Sequence, residues 1–266
     1  PVEEDQKTQQ YLTFEFSQVY TYESLVHDQY KYAEEDPTEM VDNVFRGISR
    51  LLHAQLFNAS TSTTVTLPGT AGSYNIAMPN GQAVFSTSHS GPGYSGKSNY
   101  YNSDLPFSNP AISTIRNYGI QNFVTSTGER KPFMPDLIIV PNSGIMVEAA
   151  TQATFSELVP GTANNSMNYY KGRMDVAELK YAPETSSTNA YNTSTQYNWI
   201  LANKADLKKA LKYKFIERPR VLTKFLDPDT GDSKITVLAR VATIPMRWQF
   251  GVRVNATTAP THPGAI

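Results

Sequence analysis

Cysteine is absent from this chain of 266 residues. That excludes disulfides, thiolate metal sites and a cysteine nucleophile, and it leaves stability to packing and assembly while leaving the compartment open. No apolar run reaches the roughly 18 residues of a membrane span, and no charged-then-apolar leader opens the chain, so neither a membrane helix nor a signal peptide is expected. An excess of one charge is also missing: 23 Lys plus Arg stand against 24 Asp plus Glu. No net basic field exists to hold nucleic acid, which argues against sequence-specific DNA binding and predicts only weak, nonspecific contact. Histidine is scarce, and His27, His53, His89 and His262 lack H-x-x-x-H or H-E-x-x-H spacing, so no metal pair is expected. The chain has no internal repeat and no low-complexity tract. It opens on Pro1 and not on methionine, so missing N-terminal structure is expected.

What is present is a hydrophobic content of 39%, enough for one large domain or two modest ones. Leu12, Phe14, Phe16, Tyr20 and Tyr22 alternate with polar residues, the period of a strand with one buried face. Asp36-Pro37-Thr38-Glu39 combines a cap, a proline at the first helical position and a glutamate able to reach back. Met40, Val41, Val44, Ile48, Leu51, Leu52 and Leu56 then follow at helical spacing, predicting a long helix over 37–58. Further along, Thr64–Leu67 and Gly81–Ser86 read as short strands, and Ser90–Pro110 reads as loop. Asn109-Pro110 starts a helix through about Val124, Leu137–Val140 reads as a fully buried strand, and Asn142 and Ser143 cap a third helix. Tyr197–Leu201 and Lys234–Arg240 are strand-like, the latter preceded by the turn signal Asp227-Pro228-Asp229-Thr230-Gly231. Segregated helices and strands predict an α+β fold.

Chemistry is proposed most sharply by Gly91-Pro92-Gly93-Tyr94-Ser95-Gly96-Lys97-Ser98, which satisfies the phosphate-loop pattern G-x-x-x-x-G-K-[ST]. That chemistry needs a helix directly after the lysine, because the helix N-terminus and successive amides form the anion cradle. Asn99–Pro106 is a poor helix and Pro92 removes one amide, so a flexible Gly-Ser surface loop is the preferred reading. Asp28 lies beside His27, but no G-x-S-x-G elbow supplies a nucleophile. Glu34, Glu35 and Asp36 suit a helix start, and His53 suits a structural role on the long helix. Asn58, Asn192 and Asn255 each head an N-x-[ST] triplet of a kind common by chance. No catalytic, cofactor-binding or metal-binding residue is assigned, and no cofactor is expected.

Asn80-Gly81-Gln82-Ala83-Val84-Phe85-Ser86-Thr87-Ser88-His89 resembles the D-G-x-A-L-F-S-x-x-H stretch of Mu-type major head proteins of tailed bacteriophages. Gly128 with Pro135-Asp136-Leu137-Ile138-Ile139-Val140-Pro141 is similar to that family's G-x-x-x-x-P-x-x-L-I-V-P-P strand, and Tyr197–Ala202 to its late tryptophan strand. Asn80 stands where the family has aspartate, and Asn142 where it has a second proline. The resemblance implies a Hong Kong 97-type capsid fold. In it, 1–21 would be part of an extended hairpin or arm, 22–124 a peripheral domain with spine helix 37–58, and 125–214 an axial domain, with 215–266 returning strands and a C-terminal tail. It further implies a non-enzymatic subunit of an icosahedral virion shell, assembled in the host cytoplasm as pentamers and hexamers that enclose double-stranded DNA. Its partners would be copies of itself, together with portal, scaffold or decoration proteins, and no membrane. The polar stretches Ser60–Ser73 and Thr185–Thr195 would cover neighbouring subunits or the exterior. An adhesin or glycan-binding module, suggested by abundant Tyr, Asn and Thr, is the alternative; a phosphate-loop enzyme ranks below it, and an encapsulin shares the implied fold.

Overall fold

The computed structural model describes residues 10–27, 32–69, 72–159, 167–185, 187–222 and 225–260. In chain order its elements are strand β1 (Leu12–Tyr20), helices α1 (Tyr22–Val26) and α2 (Tyr32–His53), and a π-helical turn (Ala54–Asn58). Strands β2 (Thr64–Val65), β3 (Tyr74–Asn75), β4 (His89–Gly91), β5 (Tyr94–Lys97) and β6 (Tyr100–Tyr101) follow, then helix α3 (Asn109–Asn122), β7 (Leu137–Pro141), α4 (Gly144–Phe155) and β8 (Asp175–Leu179). The chain ends with β9 (Trp199–Ala202), α5 (Lys204–Ala210), β10 (Leu211–Val221), β11 (Phe225–Leu226), β12 (Ser233–Pro245) and β13 (Gly251–Val254). Two compact units result, Thr8–Leu52 with Tyr213–Thr243, and His53–Lys212 with Ile244–Ile266.

The smaller unit is a sheet in the order β1-β12-β10, with β11 also on β12, covered on one face by α2. β1 runs antiparallel to β12 from Leu12↔Val241 to Tyr20↔Ser233. Because strand side chains alternate, Phe14 shares a face with Val237, Ala239 and Val241, and these meet Met40, Val44 and Ile48 of α2. The other face is polar, with Ser17 Oγ 3.0 Å from Thr236 Oγ1.

The larger unit is organised on a sheet in the order β6-β13-β9-β7-β8. β7 is parallel to β8, with α4 as the crossover, and antiparallel to β9. As the apolar run predicts, every residue of β7 is buried. Ile138, Val140, Trp199, Leu201, Val252 and Val254 face one core, which α3 and α4 close with Ile112, Ile115, Met146 and Ala150. Leu137, Ile139, Ile200 and Ala202 face a second core containing Phe57, Phe85, Phe250 and Ala210. Fully burying side chains of this size is worth about 1.5–3 kcal/mol each, so the sheet is stabilised from both sides.

Several local expectations shift. β1 stops at Tyr20, and Tyr22 opens α1, because Thr21 Oγ1 accepts the Ser24 amide and caps a helix there. The long helix starts at Tyr32, which leaves Pro37 inside it. Pro37 forfeits one bond near the helix start, and Ala33, Glu34 and Glu35 are good enough helix formers to extend the rod upstream. Its last turn, Ala54–Asn58, is π-helical. Gly81–Ser86 is not a strand: Ala83, Val84 and Phe85 are buried in succession, and their backbone partners are Ser60 and the Asn99 side chain. Ser90–Pro110 holds β4, β5 and β6 where loop is expected. α3 is capped by Ser108, whose Oγ accepts the Ala111 amide, and Ser143 precedes α4 without a side-chain cap bond. Residues 1–9 of the expected arm, Asp28 and His262 lie outside the described residues, as do the side chains of Glu34, Glu35 and Asp36.

One glycine shows how tightly the larger core is closed. A Cβ at Gly119 of α3 would lie 2.3 Å from Cδ1 of Phe133, whose ring packs at 4.7 Å on Phe123. In an exposed helix Gly→Ala gains about 1 kcal/mol. Here Gly119→Ala is expected to lower unfolding free energy by about 1–3 kcal/mol through overpacking, measured by urea denaturation at constant slope.

Candidate functional site

The segment that resembles phage head proteins folds into a buried polar hub. Asn99 sits between β5 and β6 at 0% exposure, and its Nδ2 donates to the Val84 carbonyl at 2.9 Å and to the Trp248 carbonyl at 3.0 Å. Those two bonds orient the amide, so Asn99 Oδ1 accepts the Ser86 amide at 2.9 Å and faces His89 Nε2 at 2.7 Å. Gln82 is fixed in the same way: Nε2 donates to the Ser88 carbonyl, and Oε1 accepts the Ser90 amide. Its Oε1 also lies 3.2 Å from His89 Nδ1. The imidazole stacks on the Trp248 indole at 4.5 Å and 8°, and Trp248 Nε1 donates to the Tyr94 hydroxyl at 2.9 Å. Burial lowers the His89 pKa to about 4, against the opposing hydrogen bond to Asn99. A neutral imidazole carries one N–H and donates to one of the two oxygens; the 2.7 Å approach assigns that bond to Nε2–H and Asn99 Oδ1. The ring, stacked on Trp248, ties 82–99 to the start of β13 and is poorly placed to move protons for a substrate.

The phosphate-loop pattern lies on the neighbouring hairpin, which is ordered and not a flexible loop. β4 pairs antiparallel with β5, so Lys97 is on a strand, and β6 follows where a helix would be needed. Amides on a strand point alternately to opposite edges and do not converge on one anion. Ser98 Oγ donates within the fold, to the Ser86 and Tyr100 carbonyls. The turn at Gly93 presses on the backbone of Thr127 and Gly128. A Cβ on Gly128, whose φ is +85°, would lie 2.2 Å from the Gly93 carbonyl oxygen, so close backbone approach explains both glycines.

Other residues singled out from sequence have structural duties. His53 Nδ1 accepts the Tyr181 amide at 3.2 Å, and burial lowers its pKa. His27 is exposed at the end of α1. Asn58 bridges the Tyr181 carbonyl and the Glu184 amide, and Asn192 caps a short 3-10 turn. Among the described residues no His, Asp and Glu cluster has metal-binding form, and no helix is long and apolar enough to cross a membrane.

Two features were not singled out from sequence. Arg253 lies in β13 on the second core face at 4% exposure. Its Nη1 donates to Ser60 Oγ at 2.6 Å, its guanidinium is 5.5 Å from the Phe57 ring centroid and 5.7 Å from that of Tyr100, and burial lowers its pKa to about 10. It remains a cation, held by aromatic faces. The second feature is a cleft of about 490 Å³ beside the β4–β5 hairpin, with Met78, Val124 and Trp248 as buried walls. Lys131, Lys209, Lys212 and Arg247 also line it, and no acidic residue does. The lysine-rich run from Lys204 to Lys214 was the available signal, but Lys131 and Arg247 are far away in sequence.

No protein-family model and no curated protein matches the chain. Solved structures do. Over 93% of this chain and 74% of the other, the fold is similar to that in the capsid of the Myoviridae phage XM1, at 9% identity and TM-score 0.53. The Mycobacterium phage Patience structure matches over 97% and 72%, at 10% identity and TM-score 0.55. The capsid structure of cyanophage P-SCSP1u matches over 94% and 72%, at 9% identity and TM-score 0.51. The α+β fold of this chain is therefore that of phage capsid structures, as the resemblance implies.

The hub generates a pH prediction. Unfolded imidazole titrates near 6.5 and folded His89 near 4, so on acidification the unfolded chain takes up this proton first. The stability involved is complete above about pH 6.5 and is lost as pH falls through 4. His89→Phe keeps a ring on Trp248 and removes one hydrogen bond, while Asn99 Oδ1 keeps the Ser86 amide and Gln82 Oε1 the Ser90 amide. It is expected to cost about 0.5–1.5 kcal/mol at neutral pH and to flatten the fall in melting temperature between pH 6.5 and 4.

Proposed function

We propose that this chain is a structural subunit of an icosahedral phage shell, assembling with copies of itself into pentamers and hexamers around double-stranded DNA. The observation that carries the reading is the match to phage capsid structures along more than nine-tenths of the chain. Met134, Phe155, Met167 and Val19 are 69%, 69%, 88% and 60% exposed, and the reading assigns such side chains to contacts with neighbouring copies. Head-to-tail contacts close into rings, and one chain can serve five- and six-membered rings if its loops adapt.

In this reading α2 is the spine helix of a peripheral domain, and 125–214 belongs to an axial domain near the capsomer centre. The role is non-enzymatic, the location is the virion, and portal, scaffold or decoration proteins are further partners. Contact with packaged DNA is weak and nonspecific, in line with the balanced charge.

The Thr185–Thr195 segment is assigned to intersubunit cover. It is held by the Glu184↔Tyr191 bridge and by the Thr185 amide on the Ala190 carbonyl, with Tyr191 56% exposed. Sedimentation velocity over a concentration series is expected to show a sharp threshold between subunits and large particles. Deleting 185–195 should abolish the large species while the circular dichroism of the subunit is retained. Unchanged particles from the deleted chain would contradict the assignment.

A further inference from the structure

We infer that the cationic cleft beside the β4–β5 hairpin is an assembly socket, and that its occupant is the acidic turn Asp227–Asp232 of a second copy of this chain. The inference rests on the shell reading and adds to it a particular contact.

The socket is concave, about 490 Å³, and combines apolar walls with Lys131, Lys209, Lys212 and Arg247 and no lining carboxylate. Lys131 is already engaged by Asp206 at 2.9 Å and donates to the Gln249 carbonyl. Lys209 and Lys212 are exposed and have no carboxylate partner among the described residues. Two exposed like charges, Lys209 and Lys212, on one cleft repel each other unless an anion arrives. A double helix, whose major groove alone is about 12 Å wide, does not enter a cleft of this size, whereas a tight turn does.

The same sequence carries a turn of matching chemistry. Asp227, Asp229 and Asp232 fall within six residues between β11 and β12. The turn is shaped before any partner arrives: the Gly231 amide donates to the Asp227 carbonyl, the Asp227 amide to the Asp232 carbonyl, and Gly231 has a φ of +74°. Asp227 Oδ1 accepts the Asp229 amide, and Pro228, Asp229 and Thr230 are exposed at the tip. A preformed tip loses little entropy on docking. With 23 basic against 24 acidic side chains overall, concentrating four cations in one cleft leaves the remainder of every copy with surplus acid. A cationic socket on one copy and an acidic tip on the next form a heterologous contact, the kind that closes into rings.

The test is charge exchange at exposed positions, read as the assembly threshold in sedimentation and by particle counting. Lys209→Glu with Lys212→Glu, or Asp229→Lys alone, is expected to raise the threshold at least about tenfold, as like-charge contacts do, without changing the subunit melting temperature. All three changes in one chain should restore assembly. An equimolar mixture of the two defective variants should restore six-membered rings, in which the two can alternate, and not five-membered ones, where an odd number forces one like-charge contact. Wild-type particles with no effect of either reversal, or reversals that the combined chain and the mixture both fail to rescue, overturn the socket and leave the shell reading standing. A wild-type chain that does not assemble at any concentration overturns the shell reading and the socket with it.

Discussion

The larger unit depends on one constraint, the burial of β7, β9 and β13 on both faces. Each strand sends alternate side chains into different cores, so Ile138 and Leu201 pack under α3 and α4 while Ile139 and Ile200 pack against Phe57 and Phe85. A shift of register by one residue would exchange the two sets. The covering elements come from distant parts of the chain, and each docks against a surface already specified by the strands. The hub around Asn99 is one consequence. With the sheet buried on both sides, the irregular 82–88 segment pairs with no strand, and its backbone is satisfied in part by the Asn99 side-chain amide, at Val84 and Ser86, and in part by loop backbone such as the Ser60 carbonyl.

Much of this architecture was legible in the sequence, for local reasons. Leu137–Val140 announced a two-faced strand because four consecutive apolar residues allow no solvent face. Met40, Val44 and Ile48 announced a helix by their spacing, and the Asp227–Gly231 turn by its residue types. What was not legible depended on tertiary partners. β4, β5 and β6 are short, the first two polar and glycine-containing, and they are strands only because their neighbours pair with them. Ala83-Val84-Phe85 has strand-like composition, but the Asn99 amide takes the Val84 carbonyl and the Ser60 carbonyl takes the Phe85 amide. The phosphate-loop pattern shows the same limit: eight letters match, but the hairpin directs the amides apart.

The candidate sites divide along that line. His89 was visible through its place in a family-like stretch, whereas its stacking partner Trp248 lies far along the chain. Arg253 stands in an apolar strand, and no local pattern marks a cation held by Phe57 and Tyr100 on a core face. The cleft cations come from three segments, around Lys131, Lys209–Lys212 and Arg247, that meet only in the folded unit. Packed cores with charged and apolar features left at the surface are compatible with the proposed shell subunit.

Electron microscopy of the purified native protein, without prior dissociation, tests that account most directly. Closed icosahedral particles of uniform diameter containing nucleic acid are the predicted result. A monodisperse monomer or small oligomer that stays unassembled as concentration is raised would contradict it.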